Sequence, residues 1–181
     1  MNPRWRGWPV GFALLALSAC HAPKPLELVE TGDVDTHWAV DSSVGETHYL
    51  APVVRFRVRN KSQEDQGSIQ ATATFRRVGE ESVTWGADFR QVSTRREPLR
   101  AGQDGSVMLK SDARYFSTGD PQTMFQHAQF RDAKVEVYLR VGSSGWTKFL
   151  DVPVERRIGA RSVQSLPGPE SPPAAASPGS R

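Results

Sequence analysis

Between residues 34 and 160 apolar side chains recur at every second position rather than every 3.6. Val54, Phe56 and Val58 alternate with Arg55, Arg57 and Arg59. Ile69, Ala71, Ala73 and Phe75 alternate with Gln70, Thr72, Thr74 and Arg76. Val135, Val137, Leu139 and Val141 alternate with Lys134, Glu136, Tyr138 and Arg140. A strand sends successive side chains to opposite faces, so each run predicts a strand with one buried and one wet face, as in antiparallel sheets. Weaker alternation predicts strands over Asp35–Val40 and Thr84–Val92.

The breaks between these runs agree with that reading. Asn60–Gly67 is a polar loop, and Gly142-Ser-Ser-Gly145 turns one strand into Trp146–Val154 as a hairpin. Asp104-Gly105 leads into Ser106–Lys110, with Val107 and Leu109 pointing inward. Pro153 lacks an N–H and places the last strand at a sheet edge. One short helix is expected after Asp120, which caps it, with Pro121 in its first position and Met124, Phe125 and Phe130 covering an open end of the core. About seven or eight short strands with frequent turns predict an all-β fold, a single antiparallel β-sandwich over residues 34–160.

The chain has 181 residues, enough for one ordinary domain, and the ends read differently from the middle. Residues 161–181 hold Pro167, Pro169, Pro172, Pro173 and Pro178 among Ser, Ala and Gly, and predict a disordered tail that builds no core. Residues 1–19 read as a signal peptide: Arg4 and Arg6 precede the apolar run Val10–Leu17, which is too short to cross a bilayer core of about 30 Å as a helix. Residues 20–33, with His-Ala-Pro-Lys-Pro after Cys20, read as a short tether.

Leu17-Ser18-Ala19-Cys20 resembles the lipobox of bacterial lipoproteins. The resemblance implies cleavage before Cys20, diacylglycerol on its sulfur and acylation, such as by palmitate, of the new amine. His rather than Asp at residue 21 implies, by the sorting of the lipoproteins it resembles, an outer-membrane address. The single cysteine is then spent on the anchor, and a disulfide framework or a Cys-rich metal site is excluded. Removing residues 1–19 takes away Arg4 and Arg6 and leaves 21 of the 23 basic residues against all 20 acidic ones. Near-neutral charge and export both argue against nucleic acid as a partner.

Val54-Arg-Phe-Arg-Val-Arg-Asn60 and Ala71-Thr-Ala-Thr-Phe75 resemble neighbouring strands of immunoglobulin-like domains of envelope lipoproteins, including the FxLYD type. Phe75 is followed by Arg-Arg where that type has a Tyr-Asp turn. The resemblance implies a fold class and no activity.

Chemistry-bearing patterns are sparse. No Gly-x-Ser-x-Gly elbow is present, and Gly142-Ser143-Ser144-Gly145 reads as turn. His37, His48 and His127 lack the spacing of paired metal ligands, Asp33 and Asp35 lack the rest of a calcium loop, and Glu80-Glu81 adjoin in a turn. No enzyme, metal or cofactor is therefore expected. Two surface features remain. Arg55, Arg57 and Arg59 share one face of a strand, and Arg76, Lys134 and Arg140 extend that face if the strands are neighbours. Among Trp38, Tyr49, Trp85, Tyr115, Phe116, Tyr138 and Trp146, most fill the core; Tyr138 alternates outward, and one of Tyr115 and Phe116 is expected to be exposed. The expected binding face is Arg55, Arg57, Arg59, Tyr138 and Arg140. The expected function is a membrane-anchored, non-catalytic binding or adaptor domain for an envelope protein. A carbohydrate- or anionic-lipid-binding module is the alternative, and an unrecognised hydrolase ranks below both.

Overall fold

The computed structural model describes residues 23–159; the signal peptide, Cys20 and the tail at 161–181 lie outside the described residues. A four-residue helix α1 (Pro25–Leu28) leads into the long hairpin β1 (Val29–Val44) and β2 (Thr47–Asn60). Then follow β3 (Ile69–Arg77), β4 (Gly86–Ser93), β5 (Asp104–Lys110), β6 (Tyr115–Thr118), a 3₁₀ turn (Pro121–Gln126), β7 (Ala133–Val141) and β8 (Thr147–Pro153). One sheet has the order β1-β2-β5, with β6 also paired to β2; the other has the order β4-β3-β7-β8. Every pairing between these named strands is antiparallel. This is an immunoglobulin-like β-sandwich, in which the chain changes sheets between β2 and β3, between β4 and β5 and between β6 and β7.

The alternation in the sequence is the alternation of burial. Val54, Phe56 and Val58 of one sheet face Ile69, Ala71, Ala73, Phe75, Val135, Val137 and Leu139 of the other, and none exceeds 2% exposure. Phe56 meets Phe149 edge to face at 5.0 Å between ring centroids. One end of the core is aromatic. Trp38, fully buried, is surrounded by Trp85, Tyr115, Phe125 and Phe130 at 5.4–6.4 Å. The expected helix takes 3₁₀ form: the Asp120 side chain accepts from the Gln122 amide at 3.0 Å, and the turn lays Met124 and Phe125 over this end.

Two boundaries differ from those expected. The turn before β5 closes at Ala101-Gly102, where Gly102 takes φ +74°, and Asp104 already belongs to the strand. More consequentially, the tether expected over residues 20–33 is folded from Pro25 onward. Val29, Glu30, Thr31 and Gly32 pair with Asn60, Arg59, Val58 and Arg57, and Val29 is 1% exposed. Glu30, Thr31 and Gly32 offer no apolar alternation to read, and the backbone ladder to β2 together with the buried Val29 side chain holds this segment.

The other side of β1 is closed by the segment after β8. Arg157 O accepts from Trp38 N at 2.9 Å, Gly159 N donates to Trp38 O at 2.8 Å, and Glu155 N donates to Thr36 Oγ1. At the opposite end Asn60, fully buried, ties two loops together. Its Nδ2 donates to the carbonyls of Glu64 and Leu99, both at 2.8 Å, and its Oδ1 accepts from Ser62 N and Ser62 Oγ.

Candidate functional site

The expected binding face does not exist as one surface. Arg55, Arg57 and Arg59 point out from β2, whereas Tyr138 and Arg140 point out from β7 in the other sheet. The outer faces of a sandwich look in opposite directions, so the change of sheet between β2 and β3 separates the two groups. Arg76 and Lys134 belong with Arg140, not with the β2 row.

The β2 row is matched by acids. Arg57 Nε lies 2.6 Å from Asp33 and Nη1 3.0 Å from Asp104. These carboxylates raise the guanidinium's pKa above its usual value, Asp33 first. A register break in β1 gives Asp33 its φ of +52° beside Arg57, a conformation that Asp tolerates better than most residues. Arg59 is flanked in register by Glu30 and Asp104, and Arg55 by Asp35. Mixed charge of this kind leaves a solvated surface rather than a strong positive field.

The outer face of the second sheet divides into two halves. Rows run across the strands: Gln91–Gln70–Arg140, Phe89–Thr72–Tyr138–Lys148, and Ala87–Thr74–Glu136–Asp151. In the last of these, and toward Arg76 and Lys134, the charges neutralise one another. Lys148 lies 3.3 Å from Glu136 and 3.2 Å from Asp151, Lys134 lies 3.6 Å from Asp151, and Arg76 lies 3.6 Å from Glu136. Hydrogen bonding from Lys148 holds the Asp151 carboxyl below the usual range, and Asp151 and Glu136 raise Lys148 in return. Tyr138 joins this half by donating its hydroxyl to Glu136 at 3.2 Å.

The other half is built differently. Gln70 Oε1 accepts from Arg140 Nε at 2.9 Å and also from Arg140 Nη2, while Gln70 Nε2 donates to Gln91 Oε1 at 2.9 Å. Gln91 in turn donates to the carbonyls of Ile69 and Ser93. The chain of bonds ends in backbone, so the planar groups are fixed in place. The turn over Gly142–Gly145, with φ +58° at Gly142, brings Trp146 back beside Arg140. The guanidinium carbon sits 5.0 Å from the Trp146 ring centroid, a cation–π contact. Phe89 lies 6.4 Å from the same ring at 78°. Phe89 is 51% exposed and Trp146 41%. Among the described residues Arg140 makes no ion pair.

The sequence alone singles out Tyr138 and Arg140 but not Phe89, Gln70 or Gln91, and it names Trp146 only among aromatics of which most fill the core. The missing information is which strands adjoin. Tyr115 packs into the aromatic core, while its neighbour Phe116 is 70% exposed.

A concavity of about 600 Å³ lies beside the 3₁₀ turn, away from this face, and is walled by Arg77, Tyr115, Met124, His127, Phe130 and Arg131. Arg77 is tied to Glu80 at 2.5 Å, and Arg131 Nη1 donates to the carbonyls of Ala128 and Phe130. His37 lies elsewhere, on β1. It is 2% exposed, and its Nδ1–H donates to Asp35 at 2.9 Å. Burial, then the nearby Arg55 charge, holds its pKa below the ordinary histidine value, so the ring is neutral at pH 7.

No known protein family, curated protein or solved structure matches the chain.

Proposed function

We propose that the protein is a non-catalytic binding domain of the bacterial cell envelope. It is anchored to the outer membrane by lipid on Cys20 and engages its ligand with the Phe89–Gln70–Arg140–Trp146 half of the second sheet. One observation carries the choice of face. Among the described residues Arg140 is a guanidinium without a carboxylate partner, fixed between Gln70 and Trp146 and flanked by the exposed ring of Phe89. Charged side chains on the rest of that face, and Arg57 on the opposite one, are paired with acids. Exposed aromatic rings beside an arginine are the residue types enriched at binding hot spots.

The anchor reading rests on Leu17-Ser18-Ala19-Cys20. Four residues separate Cys20 from Pro25, so at ~3.6 Å per residue the fold begins within roughly 18 Å of the anchor. Helix α1 packs against β7 and β8, and Trp146 lies in the turn joining these two strands. The anchor therefore holds the candidate face close to the membrane surface.

Two measurements test the reading. Radiolabelled palmitate should enter the protein and be absent from Cys20→Ser, which should leave the membrane fraction. Unlipidated chain 21–181 should co-sediment with envelope fragments. Phe89→Ser/Trp146→Ser should lose that sedimentation, and Arg55→Ser/Arg57→Ser/Arg59→Ser should keep it. Loss in the triple variant with retention in the double variant assigns the contact to the other sheet and defeats the proposal.

A further inference from the structure

We infer that the ligand of this face is a short acidic saccharide, an inference that rests on the contact face proposed above. The size of the uncommitted patch argues first. It is three strands wide, about 14 Å at ~4.8 Å each, and two rows long, about 14 Å at ~7 Å each, which is roughly 200 Å². A stable protein partner needs on the order of 800 Å² on each side. Beyond the patch the same sheet face is closed by the Glu136, Lys148, Asp151 and Lys134 pairs, which offer a protein no apolar anchor.

The chemistry argues second. A pyranose has an apolar C–H face and an equatorial belt of hydroxyls that both donate and accept. Phe89 and Trp146, at 78° to each other, give such a ring one surface beneath it and one beside it. Both Gln91 N–H groups and Gln70 Oε1 are already bonded, so one lone pair of Gln91 Oε1 and one N–H of Gln70 remain beside the guanidinium of Arg140 as an acceptor and a donor for adjacent hydroxyls. Their mutual hydrogen bonds fix them beforehand, which lowers the ordering cost of binding. Charge argues third. Arg140 has used Nε and Nη2 on Gln70, and its Nη1 donors and positive charge have no acidic partner among the described residues. A carboxylate or phosphate on the sugar completes that site through charge-assisted bonds. A neutral saccharide would leave the cation uncompensated.

The test uses unlipidated chain 21–181 and three preparations of envelope fragments: untreated, digested with protease, and oxidised with periodate, which cleaves vicinal diols. Bound fraction is measured by co-sedimentation across a salt series. The expected result is binding that survives protease, is lost after periodate and weakens as salt rises. Trp146→Ser should weaken it by about tenfold or more. Arg140→Gln should weaken it by about tenfold and flatten its salt dependence. Both variants should melt with the wild-type protein, because the altered side chains lie outside the core. Binding that resists periodate overturns the saccharide. If it is lost to protease and to Phe89→Ser/Trp146→Ser, the face stands and its ligand is a protein. Periodate-sensitive binding with a flat salt response overturns the acidic group. No sedimentation of the wild-type chain overturns the contact face itself.

Discussion

Asn60→Asp replaces one buried amide nitrogen by oxygen and should cost more stability than most large-to-small changes in this core. The side chain is fully buried and makes four hydrogen bonds, two as donor from Nδ2 and two as acceptor at Oδ1. Aspartate keeps the shape and the two accepted bonds. It loses both donated ones, worth about 1 kcal/mol each, and sets a carboxylate oxygen 2.8 Å from the carbonyls of Glu64 and Leu99. The charge penalty has a ceiling. Once it exceeds the cost of taking up a proton, the group binds one, and from an unfolded pKa of about 3.9 that cost at pH 8 is about 5–6 kcal/mol. The expected loss at pH 8 is therefore about 3–6 kcal/mol, much of a typical domain's stability. The sign with pH follows. The folded state raises this carboxyl's pKa, so the variant binds more protons folded than unfolded, and its deficit shrinks as pH falls. Between pH 8 and pH 5 it can recover at most about 4 kcal/mol. Asn60→Ala should lose about 2–3 kcal/mol with no such pH dependence, because Leu99 O keeps its bond from Gln66 N and the Glu64 segment is open to water. Urea unfolding of the three proteins at both pH values measures all of this. An Asn60→Asp protein as stable as wild type at pH 8, or with a deficit unchanged at pH 5, would refute the network as the reason for this residue.

Gly159→Ala should destabilise by about 1–3 kcal/mol, because an added Cβ would lie 2.2 Å from His37 Cδ2 and 2.5 Å from Nε2 in a ring that is 2% exposed. Thermal melting against Gly145→Ala, where the Cβ meets nothing within 4 Å, checks it, and equal melting points would show that the 155–159 segment is not held against β1. His37 also predicts a pH dependence. Its folded pKa is lowered from 6.5 by burial and by Arg55, against the opposing Glu155 charge and despite its bond to Asp35, so the unfolded chain binds more protons as pH falls below about 6.5. Stability should decline between pH 7 and pH 5 with a slope that His37→Gln reduces. Asp41, Asp132 and Asp151, whose carboxyls are held low by lysine or arginine partners, act in a lower window, below about pH 4. A chain beginning at residue 34 lacks the Val29–Gly32 ladder to Arg57–Asn60 and should unfold at lower urea than one beginning at residue 23; equal midpoints would restore that segment as a tether.

The strands were legible wherever one face of the sheet is buried and the other wet. In β3 and β7 the two periods coincide residue for residue, since Gln70, Thr72 and Thr74 must face water if Ile69, Ala71 and Ala73 fill the core. The beginning of β1 was illegible for the same reason reversed. Glu30, Thr31 and Gly32 are all polar or small, and their place is set by pairing with β2, which leaves no mark on side-chain pattern; Asp33 follows in the register break, held by its ion pair with Arg57. Trp38 shows a mixed case. Its burial was expected, but its outer strand edge is covered by Arg157 and Gly159, some 120 residues later in the chain.

The contact face needed information of a third kind. A period-two pattern says that Arg55 and Arg140 both point outward, and it is silent on whether they point the same way. That depends on the change of sheet between β2 and β3, which is a property of the whole topology. The register then decides the chemistry. Gln70 stands opposite Arg140 on one side and Gln91 on the other, so three separate positions become one hydrogen-bonded row. A shift of β4 by a single residue would turn Phe89 and Gln91 toward the core side and bring Asp88 and Arg90 outward, so the patch would lose its ring and one of its amides. The bulge between Ile69 and Gln70 lies at the margin of the patch: it sets Ile69 opposite Ser93, while Gln70–Phe75 pair without a break with Gln91–Gly86. The feature most specific to the proposed site is therefore the register of β3 with β4 and β7, and a change that shifts β4 by one residue should abolish envelope binding while leaving every residue of the patch in the sequence.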